Sequence, residues 1–292
     1  MHAFEYAAPQ SLPEAVALLS EANGEARPLA GGTDLITQMK ENRRSLSLVV
    51  DVKKIPELNV LSYNGSGLHI GAAVSCTKIV NFEPVSVYYP ALAEACALVG
   101  SYQIQNRAAL GGNFCNAAPS ADAVPPALSY DATLLLEGPN GRRELPAEDF
   151  FTGPGQTVLE KGEVLVEIIL PVPASHSGAA YLRFIPREEM DIAVAGVGSF
   201  VQLSPDNKTC EQARITLAAV APTPLRAKEA EAFLAGKALD VTTIEQAGEL
   251  AAQAASPISD VRGSAAYRIE LVKVLTRRTL TKVLERIVRT RG

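Results

Sequence analysis

The chain has 292 residues, 47% of them apolar and 20% charged, with a formal net charge of −5 and a pI near 5.4. That length is comfortable for two domains and long for a single core. The acidic balance argues against a nucleic-acid surface, whose footprint is a basic face, and no apolar run approaches the ~20 residues that a membrane span requires.

Residues 1–6 carry neither a basic n-region nor an apolar h-region, so no secretory signal is visible and a cytoplasmic location is expected. Phe4 and Tyr6 predict a short first strand. Ser11 and Glu14, with Pro13 in the first turn, form a capping box that opens a helix through Leu18, Leu19 and Ala22. Asn23-Gly24 stops it. Residues 27–30 predict a brief strand that runs into Gly31-Gly32, and residues 35–40 a short helix with Thr33 or Asp34 near its N-cap. Residues 46–52 are a β-branched apolar run suited to a buried parallel strand. The result is a small β-α-β unit with a glycine turn at its strand-to-helix junction. Unpaired N–H groups and the macrodipole make such a junction a ready anion site. Yet Gly-Gly-Thr-Asp is neither a P-loop nor a Rossmann fingerprint, and alone it balances phosphate binding evenly against a plain tight turn.

The texture then changes. Residues 59–63 and 68–71 predict a hairpin about Asn64-Gly65, and residues 75–82 and 90–99 predict helices. Residues 103–108 lead into 109–122, a stretch so rich in Gly, Asn and Pro that no regular element is expected there. Its paired glycines let the backbone pass close to a ligand, and Asn113, Asn116, Ser120 and Asp122 supply donors and acceptors. Residues 132–137 and 142–145 predict a second hairpin, and residues 164–170 a strong strand ended by Pro171 and Pro173. Residues 171–178 are the candidate domain boundary. Beyond them, residues 180–185, 192–203 and 213–220 predict three strands of an antiparallel sheet, and residues 226–235, 243–254 and 265–289 predict helices. In the last helix Ile269, Val272, Leu280, Val283 and Ile287 make a core-facing stripe, while its basic residues read as a solvated face.

Cys76, Cys96, Cys115 and Cys210 lie far apart, and His2, His69 and His176 are scattered. Iron–sulfur and structural zinc sites need closely spaced ligands, so the chain is expected to carry no metal of its own. Cys115 reads as a small packing residue rather than a nucleophile.

Ala30-Gly31-Gly32-Thr33-Asp34, with Leu110-Gly111-Gly112-Asn113 and Pro119-Ser120-Ala121-Asp122, resembles the FAD-binding medium subunit of the molybdenum hydroxylases, the family of xanthine dehydrogenase flavin domains and carbon monoxide dehydrogenase medium chains. The resemblance spans essentially the whole chain. It implies an α+β fold: a two-lobed FAD-binding domain over 1–175, with a β-α-β subdomain (1–56) and a larger mixed-sheet subdomain (57–175). A domain of a three-stranded antiparallel sheet and helices would follow over 176–292.

Site residues follow from the same resemblance. Leu29, Ala30, Gly31, Gly32, Thr33, Asp34 and Leu35 would wrap the FAD pyrophosphate, mainly through backbone N–H groups. Ala109, Gly111, Gly112 and Asn113 would form the second pyrophosphate turn. Asp122 would hydrogen-bond the ribose or adenine end, and Asn116 would lie near the flavin ring. Leu165 and Arg183 would contact the cofactor. The loop 184–192 would pass beside the isoalloxazine, with Ile192 nearest it. Many relatives carry Thr or Ser where this chain has Ala109, so one hydroxyl contact to phosphate is missing, worth roughly 1.5–3 kcal/mol. No side chain is nominated as acid or base.

The resemblance also implies partners. Molybdopterin and [2Fe-2S] clusters would sit on a large molybdopterin subunit and a small iron–sulfur subunit, in a dimer of heterotrimers. This chain would pass electrons from the clusters through FAD to NAD or another acceptor. A nucleotide-binding regulatory or assembly module without redox activity is the alternative.

Overall fold

The computed structural model describes residues 1–187 and 190–289. Its first unit is a three-stranded parallel sheet in which Leu48–Asp51 lies between Glu5–Ala7 and Ala26–Leu29. Val49 and Val50 are fully buried or nearly so, as a central parallel strand requires. The helix Leu12–Glu21 packs Leu12, Ala15, Val16 and Leu19 inward. Ser11 Oγ accepts from the Glu14 amide at 3.4 Å, while Glu14 Oε2 reaches back to the Gln10 amide rather than to Ser11. The expected capping box is present, with its return arm shifted by one residue.

The second sheet runs Leu61–Asn64, Gly67–Gly71, Val164–Leu170, Thr133–Gly138, Gly141–Pro146. It is antiparallel throughout, which corrects the expectation of a mixed sheet. Between its strands the chain makes a series of short helices. Cys76–Val80 and Pro90–Ala97 were legible; Glu83–Tyr88, Tyr102–Gln105 and Val124–Ser129 were not. Two prolines in Val124–Ser129 mask its helical character, yet Pro125 and Pro126 sit in its first turn, where no intrahelical N–H is needed.

The largest correction concerns the glycine-rich stretch. Leu110–Asn116 is an α-helix, not irregular backbone. Propensity disfavours Gly-Gly at its start by about 1 kcal/mol per glycine. Burial overrides it: Leu110 and Phe114 are completely enclosed, and Gly111 lies against Ala72 where no side chain fits. Ala117, at φ 47°, takes the left-handed conformation that ends the helix.

The third sheet is antiparallel, Ser177–Phe184, Ala195–Leu203, Cys210–Ala218 and Leu225–Arg226. It has four strands where three were expected, because the two-residue strand Leu225–Arg226 is too short to carry a periodic signal. The helices Lys228–Leu234, Val241–Gln253 and Ala265–Arg289 share a core with this sheet. Val272, Leu280, Val283 and Ile287 face that core, as the stripe predicted.

Buried polar contacts tie the last sheet to the preceding lobe. Ser129 Oγ donates to Thr216 Oγ1 at 3.1 Å. Asp122 takes the Tyr181 hydroxyl at 2.8 Å and an ion pair from Arg183. Glu94 accepts from the Tyr181 amide and pairs with Lys282 and Arg286.

Candidate cofactor site

The strand Ala26–Leu29 ends at the first glycine turn, and five residues separate it from the helix Leu35–Lys40. Gly32 sits at φ +78°, where a Cβ is strained, and Gly32 O accepts the Ile36 amide at 3.1 Å. Gly31 is required for a different reason. A Cβ there would lie 2.1 Å from the Arg107 carbonyl oxygen. The first turn is therefore pressed against the backbone that enters the second.

That second turn is anchored on the other side. Cys76 N donates to Ala108 O at 2.8 Å, and Leu110 N to Val74 O at 3.3 Å. Ala109 is the N-cap of Leu110–Asn116 and has no side-chain oxygen with which to cap it. The amides of Gly111 and Gly112, like those of residues 31–35, donate to no acceptor among the described residues. Buried or half-buried amides in this state call for a ligand or water.

Between the turns opens a cavity of about 630 Å³. Residues 29–35 line it from one side, and Ala109, Gly111, Gly112, Asn113 and Asn116 from the other; Leu165 lines it too. Thirteen of the sixteen nominated residues are thus brought together at one cavity. Three are not. Asp122, Arg183 and Ile192 lie outside its wall. Asp122 is buried behind it, committed to Tyr181 and Arg183. Ile192 is 47% exposed, in a loop whose Glu188 and Glu189 lie outside the described residues.

Cations are few. Arg27 and Arg44 line the cavity but share one carboxylate, Glu25. Lys161 lines it and has no carboxylate partner among the described residues. Burial raises the Asp34 carboxyl above its ordinary range, with Arg43 pulling the other way. Cys115 also lines the cavity and is exposed there. It is the exposed cysteine of the four, which corrects the packing role read from sequence: its side chain looks onto the cavity instead of into the core.

Sequence reasoning missed Gln38, Arg44 and Lys161. Lys161-Gly162 was the available signal: a cation beside a glycine, here at φ +84°, just ahead of the strand Val164–Leu170. Gln38 and Arg44 flank a helix end and had no signal of their own.

A cavity of this volume with an amide-lined turn on either side and little fixed charge fits a dinucleotide such as FAD. Its two phosphates would be neutralised mostly by backbone dipoles. The volume falls within the range of cofactor pockets.

Comparison with known proteins agrees. Residues 2–173 match the family model of the FAD binding domain in molybdopterin dehydrogenase, and residues 180–283 that of the CO dehydrogenase flavoprotein C-terminal domain. The chain is 36% identical to the carbon monoxide dehydrogenase medium chain of Hydrogenophaga pseudoflava, over 95% of this chain and 96% of the relative. It is 34% identical to the xanthine dehydrogenase FAD-binding subunit of Escherichia coli O157:H7, over 94% of each. Its fold superposes on the solved structure of carbon monoxide dehydrogenase from Hydrogenophaga pseudoflava that lacks the Mo-pyranopterin moiety, with a TM-score of 0.94, 37% identity and 98% of both chains covered. By the family models over both parts of the chain and by these relatives, this chain belongs to the FAD-binding subunits of the molybdenum hydroxylases, the flavoprotein medium chains of these oxidoreductases.

Proposed function

We propose that this chain is the flavin station of a multi-subunit molybdenum hydroxylase. It takes electrons from iron–sulfur clusters on a small partner subunit and delivers them to NAD or another acceptor. Substrate oxidation belongs to a large molybdopterin subunit, and the assembly is a cytoplasmic dimer of heterotrimers. The observation that carries the reading is the pair of free-amide turns facing one cavity. No helix among those residues is long and apolar enough to cross a membrane.

FAD supplies the electron chemistry when bound. The chain's own residues orient it. The amides of residues 31–35 and of Gly111 and Gly112 would hold the pyrophosphate, and Lys161 and the Arg27/Arg44 pair would add positive potential. Asp122, Arg183 and Ile192 belong to this reading as residues near the ring or ribose end. Residues 1–175 serve as the FAD-binding domain, subdivided at 56/57, and 176–292 as the domain that buttresses it. Two separate large cores favour that division, although Ala179, Tyr181 and Phe200 pack into the first.

The test is purification of the chain with whatever it binds. The expected sample is yellow, releases FAD on denaturation, and comes with iron and molybdenum on separate polypeptides. A colourless chain that binds ADP but takes up no FAD overturns the reading in favour of a regulatory module. Turnover by the chain alone overturns the assignment of substrate chemistry to a partner.

A further inference from the structure

Two polar side chains at the cavity have contacts that the reading above does not use. Gln38 and Asn116 lie 78 positions apart, on the helices that follow the first and second glycine turns, and both line the cavity. Gln38 Nε2 lies 2.9 Å from Asn116 Oδ1. Behind Gln38 stands Arg44, whose Nε lies 3.2 Å from Gln38 Oε1.

The local fold delivers Arg44 there. The helix Leu35–Lys40 ends, and Asn42 takes a left-handed φ of 56°. The chain turns back so that the Arg43 and Arg44 amides both donate to the Gln38 carbonyl oxygen, at 2.9 and 3.3 Å. Glu25, paired with Arg44, holds its guanidinium in place.

The chemistry of this row has one direction. A guanidinium only donates. The Gln38 atom facing it must therefore be the oxygen, which leaves the Gln38 nitrogen facing Asn116. That nitrogen also only donates, so the Asn116 atom facing it must be Oδ1. An amide orientation, ordinarily assigned only from its network, is here dictated by an arginine two residues away along the row. Asn116 Nδ2 is left over, with no acceptor among the described residues.

We infer that Arg44 and Gln38 are positioning residues that fix the polarity of Asn116, so that it presents an N–H donor to an acceptor atom of the bound flavin nucleotide. The inference rests on the reading that this cavity holds FAD. It goes beyond that reading in naming which end of Asn116 faces the ligand and what sets it. The row also fastens the helix after the first turn to the helix of the second, so the donor is held when both turns are in place.

Gln38→Glu tests the direction. A carboxylate offers only acceptors, so it keeps Arg44 and makes Asn116 turn its Nδ2 toward position 38, which swings Oδ1 to the cavity. The added charge by itself also disfavours an anionic ligand, so the substitution is made in two backgrounds, the natural chain and Asn116→Leu. FAD dissociation constants and the visible circular dichroism of bound FAD are measured on the full chain.

The expected result is that Gln38→Glu weakens FAD binding about tenfold or more in the natural background and markedly less in Asn116→Leu, the excess being the reversed amide. Gln38→Met, which adds no charge, is expected to weaken binding about fivefold in the natural background and to have no effect in Asn116→Leu. The visible dichroism shifts with Gln38→Glu and returns toward the Asn116→Leu spectrum in the double variant. Equal losses in both backgrounds, or an unchanged spectrum in Gln38→Glu, overturn the inference. The unsubstituted chain is the separate control: if it takes up no FAD, the reading of the cavity fails rather than the polarity of Asn116.

Discussion

Gly31 and the Arg107 carbonyl are in backbone contact: a Cβ on Gly31 would sit 2.1 Å from that oxygen and 2.7 Å from its carbon. Two turns 76 positions apart are thereby locked into one surface, and the amides of both face the same cavity. No flexible side chain can yield there, because the obstructing atoms are main chain.

Gly31→Ala is therefore expected to separate the turns. The substitution should cost about 3 kcal/mol or more, at the upper end of overpacking effects. The isolated chain should lose FAD even where it remains folded. Visible absorbance after gel filtration, alongside a denaturant unfolding curve, reads both effects. A yellow Gly31→Ala chain with unchanged stability shows that the contact is not needed.

Ala109 invites the opposite change. Its backbone sits at φ −107° and ψ 148°, the extended conformation of an N-cap, with no side-chain oxygen to use it. Ala109→Ser places an acceptor or donor at the start of Leu110–Asn116, where Gly111 and Gly112 have free amides. Without cofactor the serine should cap the helix and add about 1 kcal/mol of stability. With FAD it should tighten binding by donating to phosphate. Unfolding midpoints with and without FAD test it; no gain in either state refutes the account.

How much of this was legible in the sequence depended on whether local signals and packing agreed. The parallel unit was readable because Ser11, Pro13, Gly24 and the apolar run about Val49 all point to the same elements. The cavity-facing glycines were readable because Gly-Gly has few local uses. Leu110–Asn116 was not, since propensity opposes a helix that Leu110 and Phe114 form by being buried. Asp122 was recognised as important, but its engagement with Tyr181 and Arg183 depends on how Ser177–Phe184 docks, and no local pattern encodes that. Gln38 and Arg44 were missed for a related reason: a row of hydrogen bonds exists only after three segments have met.

Lys161 supplies the cavity's unshared positive charge among the described residues, since Arg27 and Arg44 divide Glu25 between them. Lys161→Gln keeps the length and removes the charge. FAD affinity should fall about threefold to tenfold at low salt, and the gap should close as ionic strength rises and the Debye length shrinks. Titrations of apoprotein with FAD at two salt concentrations measure this. A deficit that does not respond to salt means that Lys161 acts by shape rather than charge.

Asp122 carries a pH dependence of definite sign. Burial is the main cause that raises its carboxyl from 3.8 to about 6, and Arg183 and the Tyr181 hydroxyl pull it back only in part. Between those two values the folded chain holds a proton that the unfolded chain has released. Stability contributed by this site is therefore complete below the unfolded value and lost as the pH rises through 6. The gap of about two pH units corresponds to roughly 3 kcal/mol. Asp122→Asn cannot titrate, so it removes this pH dependence while keeping a neutral hydrogen-bonding side chain beside Arg183, whose side chain is 5% exposed. The stability of the natural chain relative to Asp122→Asn should be greater at about pH 5 than at about pH 7. Urea unfolding of both chains across that interval decides the matter. A relative stability that stays constant or grows with pH means that the Arg183 guanidinium, not burial, governs the Asp122 carboxyl.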